Sequence, residues 1–331
     1  MHGFEKELTI GLQSVQLAAR VCQTVQKQIT REKLDKKDKS PVTIADFASQ
    51  AAICRALSQA FPSDVIVGEE DSSELKSPEN AGFLDQIVAE LAKVGVHGSP
   101  DEVCGWIDRG AGNGDHRFWT LDPIDGTKGF LRGEQYAVSL ALIIEGRIEV
   151  AVLGCPNLPI VAGDATSPGS LFFAVRGAGA YVLPIDAASL DVAAAKRVTV
   201  SGASVWSDAR VCESVESGHS SHSRSEMIAQ SLGIVLPPVR LDSQAKYAVV
   251  ARGEADLYLR LPTKQDYREK IWDHAGGVLV VEEAGGKVTD VAGKPLDFTH
   301  GRELAVNRGV VVSNGRMHDA LVAAVIAAGV S

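Results

Sequence analysis

The stretch Trp119-Thr-Leu-Asp122-Pro-Ile-Asp125-Gly-Thr127-Lys128 sets two carboxylates three residues apart at the end of an apolar run. Pro123 removes a backbone donor and fixes φ, while Gly126 permits backbone angles closed to most residues. The chain must turn there, and a turn can bring Asp122 and Asp125 together with the carbonyl of Ile124 between them. Two close carboxylates repel and lose hydration unless a cation joins them. Thr127 begins the next segment, where free amide N–H groups can hold a phosphate oxygen. Taken alone, the same residues also describe an ordinary Asp-Pro, Asp-Gly surface turn.

Further acids in matching contexts weigh against that plain turn. Asp46 follows Thr43-Ile-Ala, which reads as a short extended piece; Glu69 and Glu70 end the apolar run 65–67; Asp273 follows Trp272 and opens a helical stretch. Each lies where an apolar element ends, the usual place for a ligand site in sheet proteins. Asp46 and Asp273 would also serve as helix N-caps, and Glu69-Glu70 as a solvated pair. Oxygen ligands in this number suit Mg²⁺ or Mn²⁺ rather than zinc. The 8 histidines contain no His-x-x-x-His pair, and the 5 cysteines no Cys-x-x-Cys, so neither a zinc site nor a disulfide framework is indicated.

The elements that must position these acids follow from apolar spacing. Phe4, Leu8, Leu12, Val15, Ala19, Cys22 and Ile29 recur at helical steps over 4–29. A second helix is expected over 46–60, entered from an extended 42–44, and a buried strand over 65–67. Residues 71–104 are polar, with one helical stretch at 83–94. A strand at 118–121 carries the first two acids, and 136–144 and 148–153 flank Glu145-Gly146-Arg147 as a hairpin. Gly110-Ala-Gly-Asn-Gly114 superficially suggests a dinucleotide loop, but a strand follows it where that motif needs a helix, so an oxidoreductase is disfavoured. Residues 160–205 are rich in Ala, Ser and Gly, with a strand at 171–175. Beyond them helices (227–232, 245–251, 273–283, 317–327) alternate with strands (256–261, 310–312). An α+β unit at 1–159 and an α/β unit at 160–331, with a site between them, is the simplest architecture.

Bulk properties narrow the partners. Of 331 residues, 45% are hydrophobic and 23% charged, the balance of a globular protein. The net charge of −9 and the lack of a basic stripe argue against nucleic acid. No apolar run approaches the ~20 residues of a membrane helix. The acidic N-terminus shows no secretory or transit signal, so a cytoplasmic protein is expected.

These motifs together resemble the lithium-sensitive, magnesium-dependent phosphatases of the inositol monophosphatase superfamily, and most closely its fungal and plant 3′(2′),5′-bisphosphate nucleotidase branch. The resemblance runs over essentially the whole chain. It is carried by Ser40-Pro-Val-Thr-Ile-Ala-Asp46, Val67-Gly-Glu-Glu70, Leu121-Asp-Pro-Ile-Asp-Gly-Thr-Lys-Gly-Phe-Leu-Arg-Gly133, Cys155-Pro-Asn-Leu158, Gly218-His-Ser-Ser-His222, Leu241-Asp-Ser-Gln-Ala-Lys-Tyr247 and Tyr267-Arg-Glu-Lys-Ile-Trp-Asp-His274. The acidic motifs mark the superfamily; the extended Lys-Gly-Phe-Leu-Arg-Gly, Asp-Ser-Gln-Ala-Lys and Glu-Lys-Ile-Trp-Asp-His mark the branch.

The resemblance implies a layered αβαβα sandwich with the active site between its halves. It implies that Glu69, Asp122, Asp125, Asp273 and the Ile124 carbonyl hold two or three magnesium ions, with manganese a possible substitute. It implies that Asp46 and Thr127 orient the attacking water, and that Thr127, His219, Ser220, Ser243, Lys246, Arg260 and Asp273 contact a small nucleotide. Lys246 as a solvated helix face and His219 as an ordinary loop residue are the plainer alternatives. The implied reaction removes the 3′-phosphate of 3′-phosphoadenosine 5′-phosphate, and of its phosphosulfate analogue, by metal-activated water. The expected state is a monomer or weak homo-oligomer. Residues 71–115 and 160–205 carry no resemblance.

Overall fold

A computed structural model describes residues 3–29, 41–215, 222–264 and 266–330. Helix α1 (Glu5–Gln26) buries Leu8, Leu12, Val15, Ala19 and Cys22, the stripe its spacing predicts. Helix α2 (Pro41–Ala60) starts earlier than the sequence suggests. Proline reads as a break, but at a first helical position its missing N–H and preset φ cost nothing. Residues 42–44 are therefore helical rather than extended, and Asp46 lies inside the helix instead of capping it.

A seven-stranded sheet follows in chain order: β1 (Val65–Gly68), β2 (Arg117–Asp125), β3 (Ala137–Ile144), β4 (Arg147–Pro159), β5 (Gly169–Val175), β6 (Gly179–Pro184) and β7 (Lys196–Val198). Only β1 and β2 run parallel; the other neighbours are antiparallel. The β3–β4 turn is the two-residue Glu145-Gly146, both with positive φ (49° and 74°), a hairpin geometry whose twist matches the strands. This sheet passes residue 159 without interruption and continues to Val198.

Two peripheral helices, α3 (Ala81–Lys93) and α4 (Pro100–Asp108), pack outside α2. The sequence reading missed α4, although its signal is plain: Ser99 and Glu102 form a reciprocal capping box ahead of Pro100. A short α5 (Thr127–Arg132) follows β2.

The second sheet has the order β11-β12-β10-β8-β9, from β8 (Val211–Glu213), β9 (Val239–Arg240), β10 (Leu257–Arg260), β11 (Lys287–Thr289) and β12 (Val310–Ser313). Its helices are α6 (His222–Ser231), α7 (Ala245–Ala251), α8 (Ala275–Glu283) and α9 (His318–Ala327).

Side chains on β2 alternate between two cores, as a strand covered on both faces requires. Trp119 and Leu121 pack with α1 and α2, while Phe118 packs toward α7 and α8. Helices α7 and α8 lie between the sheets, and α6 and α9 cover the outer face of the second. The result is the αβαβα sandwich. All 5 cysteines are buried and free. Among the described residues no helix is long and apolar enough to cross a membrane.

Candidate active site

Along β2, Asp122 lies opposite Ser139 of β3, and Asp125 lies opposite Ala137. Three steps on β2 match two on β3, so the strand carries an inserted residue. In a regular strand, residues three apart point to opposite faces; the insertion turns Asp125 to the side of Asp122. Pro123 has no N–H to leave unpaired at the interruption, and its carbonyl accepts the Ser49 hydroxyl at 2.9 Å.

Gly126 then takes φ +89°, and a Cβ there would stand 2.8 Å from the Cβ of Ser243. The 241–246 segment therefore presses directly on the bulged strand end. Ser243 itself has φ +69°, a left-handed conformation uncommon for a residue with a side chain. Its neighbour repays that strain: Gln244 N–H donates to Asp125 Oδ2 at 2.6 Å. The Gln244 side chain extends the tie. Its Nε2 donates to the Trp272 carbonyl at 2.9 Å, and its Oε1 accepts from Ser139 Oγ and from Gly277 N–H, both at 3.1 Å.

Glu69, Asp122, Ile124, Asp125, Thr127 and Asp273 line one cavity of about 400 Å³, together with Ser243, Lys246 and Arg260. Glu69 faces the open side, yet loss of hydration and the charges of Asp273, Glu70 and Asp125 push its carboxyl up to about 8. Asp122 is 2% exposed. Burial, then the charges of Glu69, Asp125, Asp273 and Asp46, push it well above the ordinary aspartate range. Its Oδ1 is buried with no hydrogen-bond partner, which costs about 1–3 kcal/mol in a neutral setting and more for a charge. A hard divalent cation answers both the repulsion and the unpaired oxygen, and an all-oxygen donor set is the one magnesium takes. The residues fit the metal.

Asp46 is buried in α2 behind the cavity wall rather than on it. Burial, then Glu70 and Glu69, push its carboxyl well up. Asp273 ends a 3₁₀ turn, Ile271–Asp273, and α8 begins only at Ala275, so Asp273 does not open that helix. Burial pushes its carboxyl up against the pull of Arg260.

Lys246 and Arg260 line the same cavity. Lys246 is 4% exposed, so it is no solvated helix face. Its Nζ lies 3.4 Å from the Leu241 carbonyl and 5.2 Å from the centre of the Tyr258 ring, and burial lowers its pKa. The Arg260 guanidinium is held on two sides, by Glu269 through Nε at 2.7 Å and by Asp273 through Nη2 at 3.1 Å. Glu269 in turn faces His274 Nε2 at 3.2 Å, and His274 Nδ1 faces the Tyr247 hydroxyl at 2.7 Å. His219 and Ser220 lie outside the described residues.

Apart from His219 and Ser220, the structure thus gathers the sequence-named ligand and pocket residues from Glu69 to Asp273 along one cavity, with Asp46 behind it. Sequence reasoning did not single out Gln244, Glu269, Tyr247 or Tyr267 as site residues. All four sit inside the motifs quoted above, and Gln244, Tyr247 and Tyr267 line the cavity, so their types were visible while their partners were not.

The chain belongs to the inositol monophosphatase family, which it matches over residues 6–329. Its curated relatives are more particular. A protein of Emericella nidulans, named 3′(2′),5′-bisphosphate nucleotidase, is 44% identical over 97% of this chain and 98% of its own length. One of Schizosaccharomyces pombe with the same name is 45% identical over 94% of this chain and 92% of its own length. Among solved structures, an inositol monophosphatase from Anabaena superposes with a TM-score of 0.61 at 23% identity, covering 99% of this chain and 97% of that one, a likeness of fold.

Proposed function

We propose that this chain is a magnesium-dependent phosphomonoesterase that removes the 3′-phosphate from 3′-phosphoadenosine 5′-phosphate, and from its 5′-phosphosulfate analogue. The products would be AMP, or adenosine 5′-phosphosulfate, and phosphate. The observation that carries the reading is the bulged end of β2, which turns Asp122 and Asp125 toward Glu69 and Asp273 and leaves Asp122 Oδ1 unpaired. The names of the relatives agree with it.

Glu69, Asp122, Asp125, Asp273 and the Ile124 carbonyl would hold magnesium, which supplies charge to activate water and to steady the leaving 3′-oxygen. Asp46 and Thr127 orient the water. Ser243, Lys246 and Arg260 take the non-reacting 5′-phosphate. Lys246 loses hydration in the fold, so an anion arriving beside it restores a partner to a buried charge. Arg260 is pre-set by Glu269 and Asp273, so little rotamer freedom is lost when a phosphate arrives.

Initial rates of phosphate release, with and without magnesium, on the bisphosphate, its sulfated analogue, AMP and two inositol phosphates test the assignment. The bisphosphate should be the best substrate and chelation should stop it. An inositol phosphate turned over faster would move the chain to another branch of the family.

A further inference from the structure

The glycine loop 110–114, which the reaction does not use, is paired to the strand that delivers Glu69. Gly68 N–H donates to the Gly110 carbonyl at 2.7 Å, and Gly112 N–H donates to the Ile66 carbonyl at 2.9 Å. The approach is close enough that a Cβ on Gly112 would stand 2.4 Å from that carbonyl oxygen. One side chain from far along the chain closes the arrangement. Arg302 Nη2 donates to the Gly68 carbonyl at 2.5 Å, and Nη1 donates to the carbonyls of Gly112 at 3.1 Å and Gly110 at 3.4 Å.

The same guanidinium lies 4.7 Å from the centre of the Trp272 ring, beside Asp273. The backbone around Arg302 is also tied to the segment leading to Asp273. Ile271 N–H donates to the Arg302 carbonyl at 3.2 Å, and Leu304 N–H donates to the Glu269 carbonyl at 2.9 Å. Lys270 and Glu303 pair between them at 2.5 Å.

We propose that Arg302 is a positioning residue that sets the separation of Glu69 and Asp273. Its planar fork grips the strand end one residue before Glu69, and its face and backbone are fixed to the turn that carries Asp273. Lysine could keep the charge but has one donor centre, and could not span three carbonyls while covering an indole face. Groups that hold metal-binding side chains in place typically alter metal affinity about 10–100-fold when changed.

The proposal rests on the metal reading above, and the experiment separates the two. Mn²⁺ binding to the full chain is followed by electron paramagnetic resonance for the parent and for Arg302→Lys. The Mn²⁺ dissociation constant should rise roughly tenfold or more in the variant. Its metal-free melting temperature should stay within about 3 °C of the parent. At saturating metal, KM for the bisphosphate nucleotide should stay within about twofold, because the 5′-phosphate pocket is untouched. Equal Mn²⁺ affinities overturn the role of Arg302 while leaving the metal site standing. Melting far below the parent without metal makes Arg302 a residue of the fold and also overturns it. Absence of Mn²⁺ binding in the parent contradicts the metal reading itself.

Discussion

Asp122→Asn should stabilise the metal-free protein and at the same time remove most of its turnover. Asp122 is 2% exposed, has one oxygen without a partner, and is held well above the ordinary aspartate range by burial and by Glu69, Asp125, Asp273 and Asp46. A carboxyl whose folded pKa exceeds its unfolded one favours the fold most at low pH, and that benefit is lost as pH rises through the folded value. At pH 8 without metal, the aspartate therefore opposes folding and an asparagine does not. Each unit of difference is worth about 1.4 kcal/mol. Relaxation and water entry reduce the total, leaving a relief on the order of the 1–4 kcal/mol gained when buried charges give way to neutral groups. For a chain of this size each kcal/mol is a rise of about 1.5 °C in Tm. With magnesium the order reverses, because the parent gains a bound cation and the variant has lost a charge that holds it. There kcat should fall on the order of 100-fold or more. Melting in EDTA and in magnesium, beside phosphate release, reads both effects. An Asp122→Asn protein that melts below the parent in EDTA would refute the reasoning, since Asp122 would then be an ordinary structural acceptor.

Lys246→Ala and Arg260→Ala should each lower kcat/KM on the bisphosphate by about 1.5–3 kcal/mol, the range of a charge-assisted hydrogen bond, and far less on 3′-AMP. Equal losses on both substrates would remove the 5′-phosphate from that pocket. Millimolar-range lithium should inhibit without simple rescue by added magnesium, as expected of this family; insensitivity in a rate assay would count against the proposed metal centre. His318 supplies a pH test away from the site. The Thr289 hydroxyl donates to the Asp290 carbonyl, so its oxygen accepts from His318 Nε2, and Nδ1 is left to accept from Ser313. The Nδ1 bond needs the neutral ring, because protonation would remove its acceptor, and burial pushes the pKa down to about 4. A depressed histidine supports the fold above its unfolded pKa and loses that support as pH falls. Melting temperature should therefore drop between about pH 6.5 and 4, less steeply in His318→Gln. Parallel curves would show that His318 takes no part.

Much of the site was legible because its chemistry is concentrated in short motifs at the ends of apolar runs. Asp122 and Asp125 announced themselves by type and spacing, and so did the strand that carries them. The device that makes them a pair was not legible, since an inserted residue shows only against the partner strand. Helix α2 was read too short because Pro41 signals a break as readily as a first turn. Strands β6 and β7 lie in a stretch where Ala and Gly blur the period of two. The residues that hold the site together were the least visible. Gln244 and Arg302 act on groups far from them in sequence, such as Asp125 and Gly68, and no local pattern encodes a contact of that kind.

The central claim is that the phosphate lost is the one at the 3′-position, and ³¹P NMR of the turnover mixture reads it directly. Incubated with magnesium, 3′-phosphoadenosine 5′-phosphate should give inorganic phosphate and the single resonance of 5′-AMP, and with EDTA it should remain intact. Accumulation of 3′-AMP, or phosphate release that persists without a divalent ion, would contradict the account.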